Sequence, residues 1–375
     1  MNGGARWAVL ASIVVAAIAI ALLASSAFTG DRTPDGNVTS PEGNSTNGNG
    51  PVPRPVASLL STPSALPVME KWAAQYNMEA PGSVQVSYTD DVDDASIGAV
   101  HSNISGFLAQ HSADMAVMGR LPSGDSFSYA NSTFLSVSPQ AVAIVYNVPG
   151  FPDVPSGLKF DPVTLSAVLR GNITRWDDPA IKELNPGLDI PGEAITIMHE
   201  GEAGSASDLL MQYLNGTVQW PEDATPAGSA ESLSALVRQT PYSIGYVDYA
   251  YAAQTRMTYA ALENSDGEFI MPSHDSIALS IQNGTAVQPL VANATGSMPP
   301  MMPVGQLGNG SYPIVGFYYA AYAGDLEAAD FVQWVVTRGQ EVLKDTQYPP
   351  LYEHAQRSEA TTAATVNSTK IKEEE

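Results

Sequence analysis

Between residues 68 and 343 the chain alternates short apolar runs of strand length with stretches of helical spacing. Parallel strands joined by helical crossovers need this alternation, and it predicts an α/β fold with helices on both faces of a sheet. Residues 68–76 (VMEKWAAQY) put Met69, Trp72, Ala73 and Tyr76 on one helical face, and residues 84–88 alternate as a strand does. Residues 97–111 read as a helix and 113–118 as a short buried strand. Residues 141–146 (AVAIVY) read as a strand stopped by Pro149 and Gly150. Asp161-Pro162 joins an N-cap to a proline at the first helical position, opening a helix through Leu169 that Gly171 closes. Asp178-Pro179 repeats the device before a shorter helix ending at Asn185-Pro186-Gly187. Further on, residues 195–198, 243–247 and 312–321 read as strands. Residues 205–214 and 328–343 read as helices, the last with Phe331, Trp334, Val335 and Val342 apolar.

Composition narrows the function. The 375 residues carry 16 Lys plus Arg against 39 Asp plus Glu, a net charge of -23 that repels nucleic-acid backbones and anionic lipid headgroups. No nucleic-acid partner is expected. There is no cysteine, which removes disulfides, thiolate metal sites, Cys nucleophiles and a lipid-modified N-terminal Cys. The five histidines (His101, His111, His199, His274, His354) form no i, i+4 metal pair, and no Gly-X-Ser-X-Gly elbow is present. The sequence therefore predicts no cofactor and no catalysis.

The two ends differ from the middle. Residues 7–24 are an apolar run broken only by Ser12, with Arg6 before it and Ser25, Ser26 and Ala27 after it. The length favours a membrane anchor over a signal peptide, although Ser25 and Ala27 would suit cleavage, so residues 1–28 are expected to anchor or export the chain. Residues 29–56 are rich in Gly, Pro, Asn, Ser and Thr and predict a flexible stalk. Residues 358–375 predict a solvated tail. Asn-X-Ser/Thr triplets begin at Asn37, Asn44, Asn103, Asn131, Asn172, Asn215, Asn283, Asn293, Asn309 and Asn367, which fits a glycosylated cell-surface protein of an archaeon or eukaryote.

Five strings then carry a resemblance: AVAIVYNVPG (141–150), LRGNITRWDDPAIKELNPG (169–187), SIGYVDYAYA (243–252), YPIVGF (312–317) and DFVQWVVTRGQEVLKDTQYPPL (330–351). In order and spacing they resemble the periplasmic phosphate-binding proteins of Pst-type ABC importers over residues 57–352. The resemblance implies a two-lobed periplasmic-binding-protein fold of the type II, Venus-flytrap kind, hinged by two crossing strands. One lobe would combine residues 57–142 with 309–357, and the other would hold 143–308. It also implies an oxyanion, phosphate or a relative, held between the lobes and passed to a membrane permease driven by an ATPase.

What the resemblance implies for the site is uneven. An anion without a counter-ion needs donors aimed at it, and backbone N–H groups at a helix start supply them with a favourable dipole. The family's Arg-Ser-Asp-Gly-Ser-Gly-Thr segment falls on His199-Glu200-Gly201-Glu202-Ala203-Gly204-Ser205. Gly204 matches, Ser205 replaces Thr, and His199 stands where the family has Arg. The amides of Gly204, Ser205, Ala206 and Ser207 are the expected grip, although Ser205 or Ser207 could equally be a helix cap. Ser64 aligns with a family loop that contributes an amide and a hydroxyl. The family's Ser-Asp pair, whose Asp takes the proton of a protonated phosphate, falls near Met118-Gly119, followed by Arg120. Arg120 could restore the missing positive charge, or could be a surface residue or the salt-bridge partner of Asp93 or Asp94. The family's Ser-Ser-Gly-Gly loop aligns near Asp93-Asp94-Ala95-Ser96. The cluster Asp90, Asp91, Asp93 and Asp94 leaves open a second reading: a divergent relative that binds a cation-bearing solute, or a glycosylated surface module.

Overall fold

The computed structural model describes residues 56–79, 83–87, 104–122, 132–150, 157–201, 204–285, 301–324, 326–344 and 346–351, all in the compact unit Pro53–Glu375. The expected leader, all of the stalk but its last residue, the tail and the cluster Asp90, Asp91, Asp93 and Asp94 lie outside the described residues. Among the described residues no helix is long and apolar enough to cross a membrane.

In chain order the elements are β1 (Val56–Ser61), α1 (Leu66–Glu79), β2 (Ser83–Ser87), α2 (Ile104–Gln110), β3 (Met115–Met118), β4 (Thr133–Asn147), β5 (Lys159–Phe160), α3 (Pro162–Leu169), α4 (Pro179–Leu184), β6 (Thr196–Glu200) and α5 (Ser205–Tyr213). They continue with β7 (Thr225–Ala227), α6 (Ala230–Gln239), β8 (Ser243–Asp248), α7 (Tyr249–Gln254), β9 (Ala261–Glu263), β10 (Phe269–Ile270), α8 (His274–Thr285), β11 (Val315–Tyr322), α9 (Leu326–Val336) and α10 (Gln340–Leu343).

Eight strands form one curled mixed sheet in the order β2-β1-β3-β11-β4-β8-β6-β7, and β10-β9-β5 form a small second sheet. The two-lobed architecture follows from β4. Its first stretch, through Ala141, pairs antiparallel with β11. From Val142 to Asn147 it pairs antiparallel with β8. Parallel pairs β1–β2 and β1–β3 extend one side of the sheet, and β6–β8 and β6–β7 extend the other. One strand therefore belongs to both halves.

The cores explain why the strands read as continuous apolar runs. On β1, Leu59 packs with Met69, Trp72, Tyr76, Phe331 and Val332, while its neighbour Leu60 faces the opposite cluster with Ile104, Ala116 and Met118. A strand covered on both faces has no polar side to alternate with. The expected caps are present: Asp161 accepts from the Thr164 amide at 2.6 Å and Asp178 from the Ala180 amide at 2.9 Å, satisfying donors the first helical turn leaves open.

Four expectations need correction. Val56, the last residue of the expected stalk, already lies in β1. The strand at 141–146 is the second part of a longer one, β4, that starts at Thr133. The strand expected at 312–321 starts at Val315, because Tyr312 turns inward to donate its hydroxyl to the Val142 carbonyl at 2.6 Å. The single helix expected over 328–343 is two, α9 and α10. Thr337 Oγ1 bonds back to the Gln333 carbonyl at 2.7 Å, and at Gly339 a Cβ would lie 2.7 Å from the Val335 Cα. That close approach lets the Gly339 carbonyl accept from Trp72 Nε1 at 2.7 Å. The helix expected at 97–111 is described from Ile104.

Candidate oxyanion cleft

Ser205 to Ser207 open α5 directly after the loop that leaves β6, so the helix N-terminus points out at the carboxyl end of a parallel strand. Open α/β sheets place ligands there. Gly204 is the N-cap, in extended conformation at φ -89° and ψ -175°, and offers no side-chain cap of its own. Glu200, the last residue of β6, fills that role: its Oε2 accepts from the Gly204 amide at 3.3 Å and from Ser207 Oγ at 2.6 Å. Ser207 Oγ also meets the Tyr246 hydroxyl at 2.7 Å. Burial, with the nearby Glu200 charge, pushes the Tyr246 phenol upward, so it stays protonated as a donor. A carboxylate oxygen therefore rests on the N-cap amide of α5, the position the helix dipole favours for negative charge.

Arg120 approaches from the opposite half of the sheet, two residues beyond β3. Its Nε and one terminal nitrogen grip both carboxylate oxygens of Asp208 on the first turn of α5. The side chains of Arg120 and Asp208 are 25% and 33% exposed, so the pair is accessible from the cleft. Arg120 is a salt-bridge partner of Asp208; Asp93 and Asp94, the partners expected from sequence, lie outside the described residues. Gly119 beside it packs against the helix start: a Cβ there would lie 2.3 Å from Ser205 Oγ and 3.0 Å from Gln140 Oε1. Gln140, buried at the point where β4 changes partners, donates Nε2 to Ser205 Oγ at 2.8 Å.

Of these groups Gly119, Arg120, Glu200, Ser205, Ser207 and Asp208 line one cleft of about 1190 Å3, with Trp220, Met302 and Phe317 among its apolar walls, whereas Gly204, Gln140 and Tyr246 do not line it. It exceeds the ~300–1,000 Å3 of an ordinary small-molecule pocket. The Arg120–Asp208 pair already joins its two sides.

The structure brings Arg120, Ser205 and Ser207 to this cleft. It does not bring His199 there: that ring is buried, stacks on Trp220 at 4.6 Å between centroids and 7° between planes, and sets Nδ1 2.6 Å from the Glu200 carbonyl. Trp220 in turn stacks on Tyr246, so His199 supports the wall from behind. Ala206 is buried in the core. Ser64 sits in the turn before α1, where its carbonyl accepts from the Tyr318 hydroxyl at 2.8 Å and its Oγ meets Thr62 Oγ1 at 3.1 Å. It is not among the residues lining the cleft. Sequence reasoning passed over Glu200, Asp208 and Gln140. Only the acid four positions before Gly204 carried a usable signal, its capping distance from the helix.

The family model for a PBP superfamily domain matches residues 45–338, most of the chain. The chain belongs to the PBP superfamily. Within it, the chain is 28% identical over 311 residues to the phosphate-binding protein PstS of Xylella fastidiosa, covering 76% of this chain and 78% of that one. Among solved structures, a high-affinity periplasmic phosphate-binding protein (PfluDING), bound with phosphate, aligns with a TM-score of 0.61 at 13% identity, covering 84% of this chain and 97% of that one. The phosphate-binding protein of Stenotrophomonas maltophilia aligns with a TM-score of 0.56 at 14% identity, covering 82% and 93%. The structural matches show a shared PBP-like two-lobed α/β fold, and the sequence matches make this chain PstS-like.

Proposed function

We propose that the chain is an extracytoplasmic substrate-binding protein that closes two lobes on phosphate or a related oxyanion and delivers it to an ABC permease and its ATPase. On this reading about residues 57–142 with 309–357 form one lobe and about 143–308 the other, and the apolar run 7–24 tethers the chain to the membrane. The observation that carries the proposal is the convergence of Arg120, from one side of the sheet, with the N-terminus of α5, from the other, on one cleft. A guanidinium and desolvated amides together replace the water an oxyanion sheds.

Two carboxylates in the same cleft shape the selectivity. Asp208 already holds Arg120, so an incoming oxyanion shares or displaces that grip. Glu200 stands at the α5 amides, where a fully ionised oxyanion meets its charge. A protonated phosphate instead donates a hydrogen bond to it. That charge relation favours hydrogen phosphate over sulfate.

The test is the melting temperature of the purified chain. A ligand held by the native state alone adds about 2.7 kcal/mol at a hundredfold excess over Kd. Phosphate at millimolar concentration is expected to raise the midpoint by several degrees, and sulfate by less. No shift with phosphate, together with a shift on adding calcium or an organic cation, would contradict the proposal and support the divergent-ligand reading.

A further inference from the structure

We propose that Asn172 and Asn215 carry N-linked glycan, and that Asn283 and Asn309, in the same triplet motif, do not. This rests on the extracytoplasmic location proposed above. In the transfer, Asn Nδ2 forms a bond to the anomeric carbon of a polyprenyl-phosphate-linked oligosaccharide. The bond from that carbon to the phosphate oxygen breaks, the lipid phosphate leaves, and the amide proton passes to a base of the transferase. The acceptor amide and the hydroxyl two residues on must both be reachable.

Asn172 and Asn215 meet that requirement. Asn172 lies in the bend after α3, its own side chain and that of Thr174 exposed, with its backbone amide fixed on the Ala167 carbonyl at 2.8 Å. Asn215 ends the turn after α5 in a left-handed conformation at φ 52°, and both it and Thr217 are exposed. The two triplets are neighbours, because an Arg170 terminal nitrogen donates to the Thr217 carbonyl at 2.9 Å. Asn215, Gly216 and Thr217 also line the cleft, so the pair would place carbohydrate beside its mouth.

The other two described triplets fail at opposite ends. Asn283 is half-buried within α8, and its Nδ2 donates to Ser311 Oγ at 2.8 Å and to the Gly308 carbonyl at 3.3 Å. A glycan on that nitrogen would replace one of its two hydrogens and so break at least one of these contacts. Asn309 is itself exposed, but its triplet ends on Ser311, which is fully buried and receives the Asn283 bond.

The experiment isolates the full chain from the cells that make it and reads peptide masses, alongside labelling of intact cells with a membrane-impermeant amine reagent. The expected result is glycan on the Asn172 and Asn215 peptides, none on the Asn283 and Asn309 peptides, and one step of gel mobility lost in each of Asn172→Gln and Asn215→Gln. Unmodified Asn172 or Asn215 in a chain that labels from outside overturns the glycan assignment alone, as does glycan on Asn283 or Asn309. A chain that labels only after lysis overturns the location together with the glycan.

Discussion

Glu200 and Arg120 are the two charges on which the proposed binding turns, and they pull in opposite directions. Removing the guanidinium costs an oxyanion a charged hydrogen bond, about 1.5–3 kcal/mol, and strips Asp208 of its partner. Arg120→Ala should therefore weaken phosphate binding by about tenfold or more. His199→Ala, behind the wall, should change it less. Glu200→Gln keeps an acceptor for the Gly204 amide and Ser207 Oγ but deletes a like charge within the cleft. At an effective dielectric near 20, that charge is worth more than a tenfold change at contact distance. Sulfate affinity should rise by about tenfold in this variant, narrowing the preference for phosphate, and competition titrations read both effects. Equal affinities in wild type, Arg120→Ala and His199→Ala would show that Arg120 does not face the ligand. At this scale the sequence was informative where a chemical type is rare. Arg120 stands out in a chain with few cations, and Gly204 stands out before a helix. Glu200 and Asp208 do not stand out, being two of 39 acids, and nothing in the string records that both face Arg120's cleft.

Among the elements, β4 carries the link between the lobes. Its second part, AVAIVY, announces itself as a strand. The first part hides, because Ser136, Ser138, Pro139 and Gln140 resemble a loop, yet all but the proline are fully buried polar residues. The fold accommodates them locally. The pairing with β11 shifts register between Tyr318 and Tyr319, leaving Val137 opposite no partner, and its carbonyl accepts from Gln340 Nε2 at 3.1 Å. Such compensation comes from residues two hundred positions away, out of reach of any local pattern. Beside this crossing lies Asp248, the N-cap of α7, which accepts from the Ala250 amide at 2.8 Å and the Tyr318 hydroxyl at 2.9 Å. It also accepts from Tyr348, whose oxygen receives the Ala141 amide at 3.2 Å. Burial raises the Asp248 pKa against these hydrogen bonds. The native chain thus holds this proton more tightly than the unfolded chain. The group's contribution to stability is full below the ordinary Asp value of about 3.9 and is lost as pH rises towards the raised native value. Urea unfolding across this range should show Asp248→Asn, which keeps the cap and an acceptor, flattening the decline. Asp248→Ala should cost about 2–3 kcal/mol throughout, by leaving buried donors unpaired. Coincident profiles for wild type and Asp248→Asn would contradict the assignment.

For the whole molecule, two halves share one sheet and one strand, and their common cleft is where an anion is proposed to bind in a chain of net charge -23. The two facts are compatible because exposed carboxylates beyond about 8–10 Å are screened at physiological ionic strength, whereas groups in the cleft are not. Fold class was legible because the alternation of strands and helices is a local property repeated many times. The site was only half legible because it is assembled from β3, β6 and α5, which no single stretch of chain contains. The most direct measurement is a calorimetric titration of the purified chain with phosphate and sulfate in parallel. Saturable one-to-one heat from phosphate, with sulfate weaker by at least about tenfold and the phosphate signal diminished in Arg120→Ala, is the predicted result. Absence of heat from phosphate at millimolar concentration, or equal binding of both anions unaffected by Arg120→Ala, would contradict it.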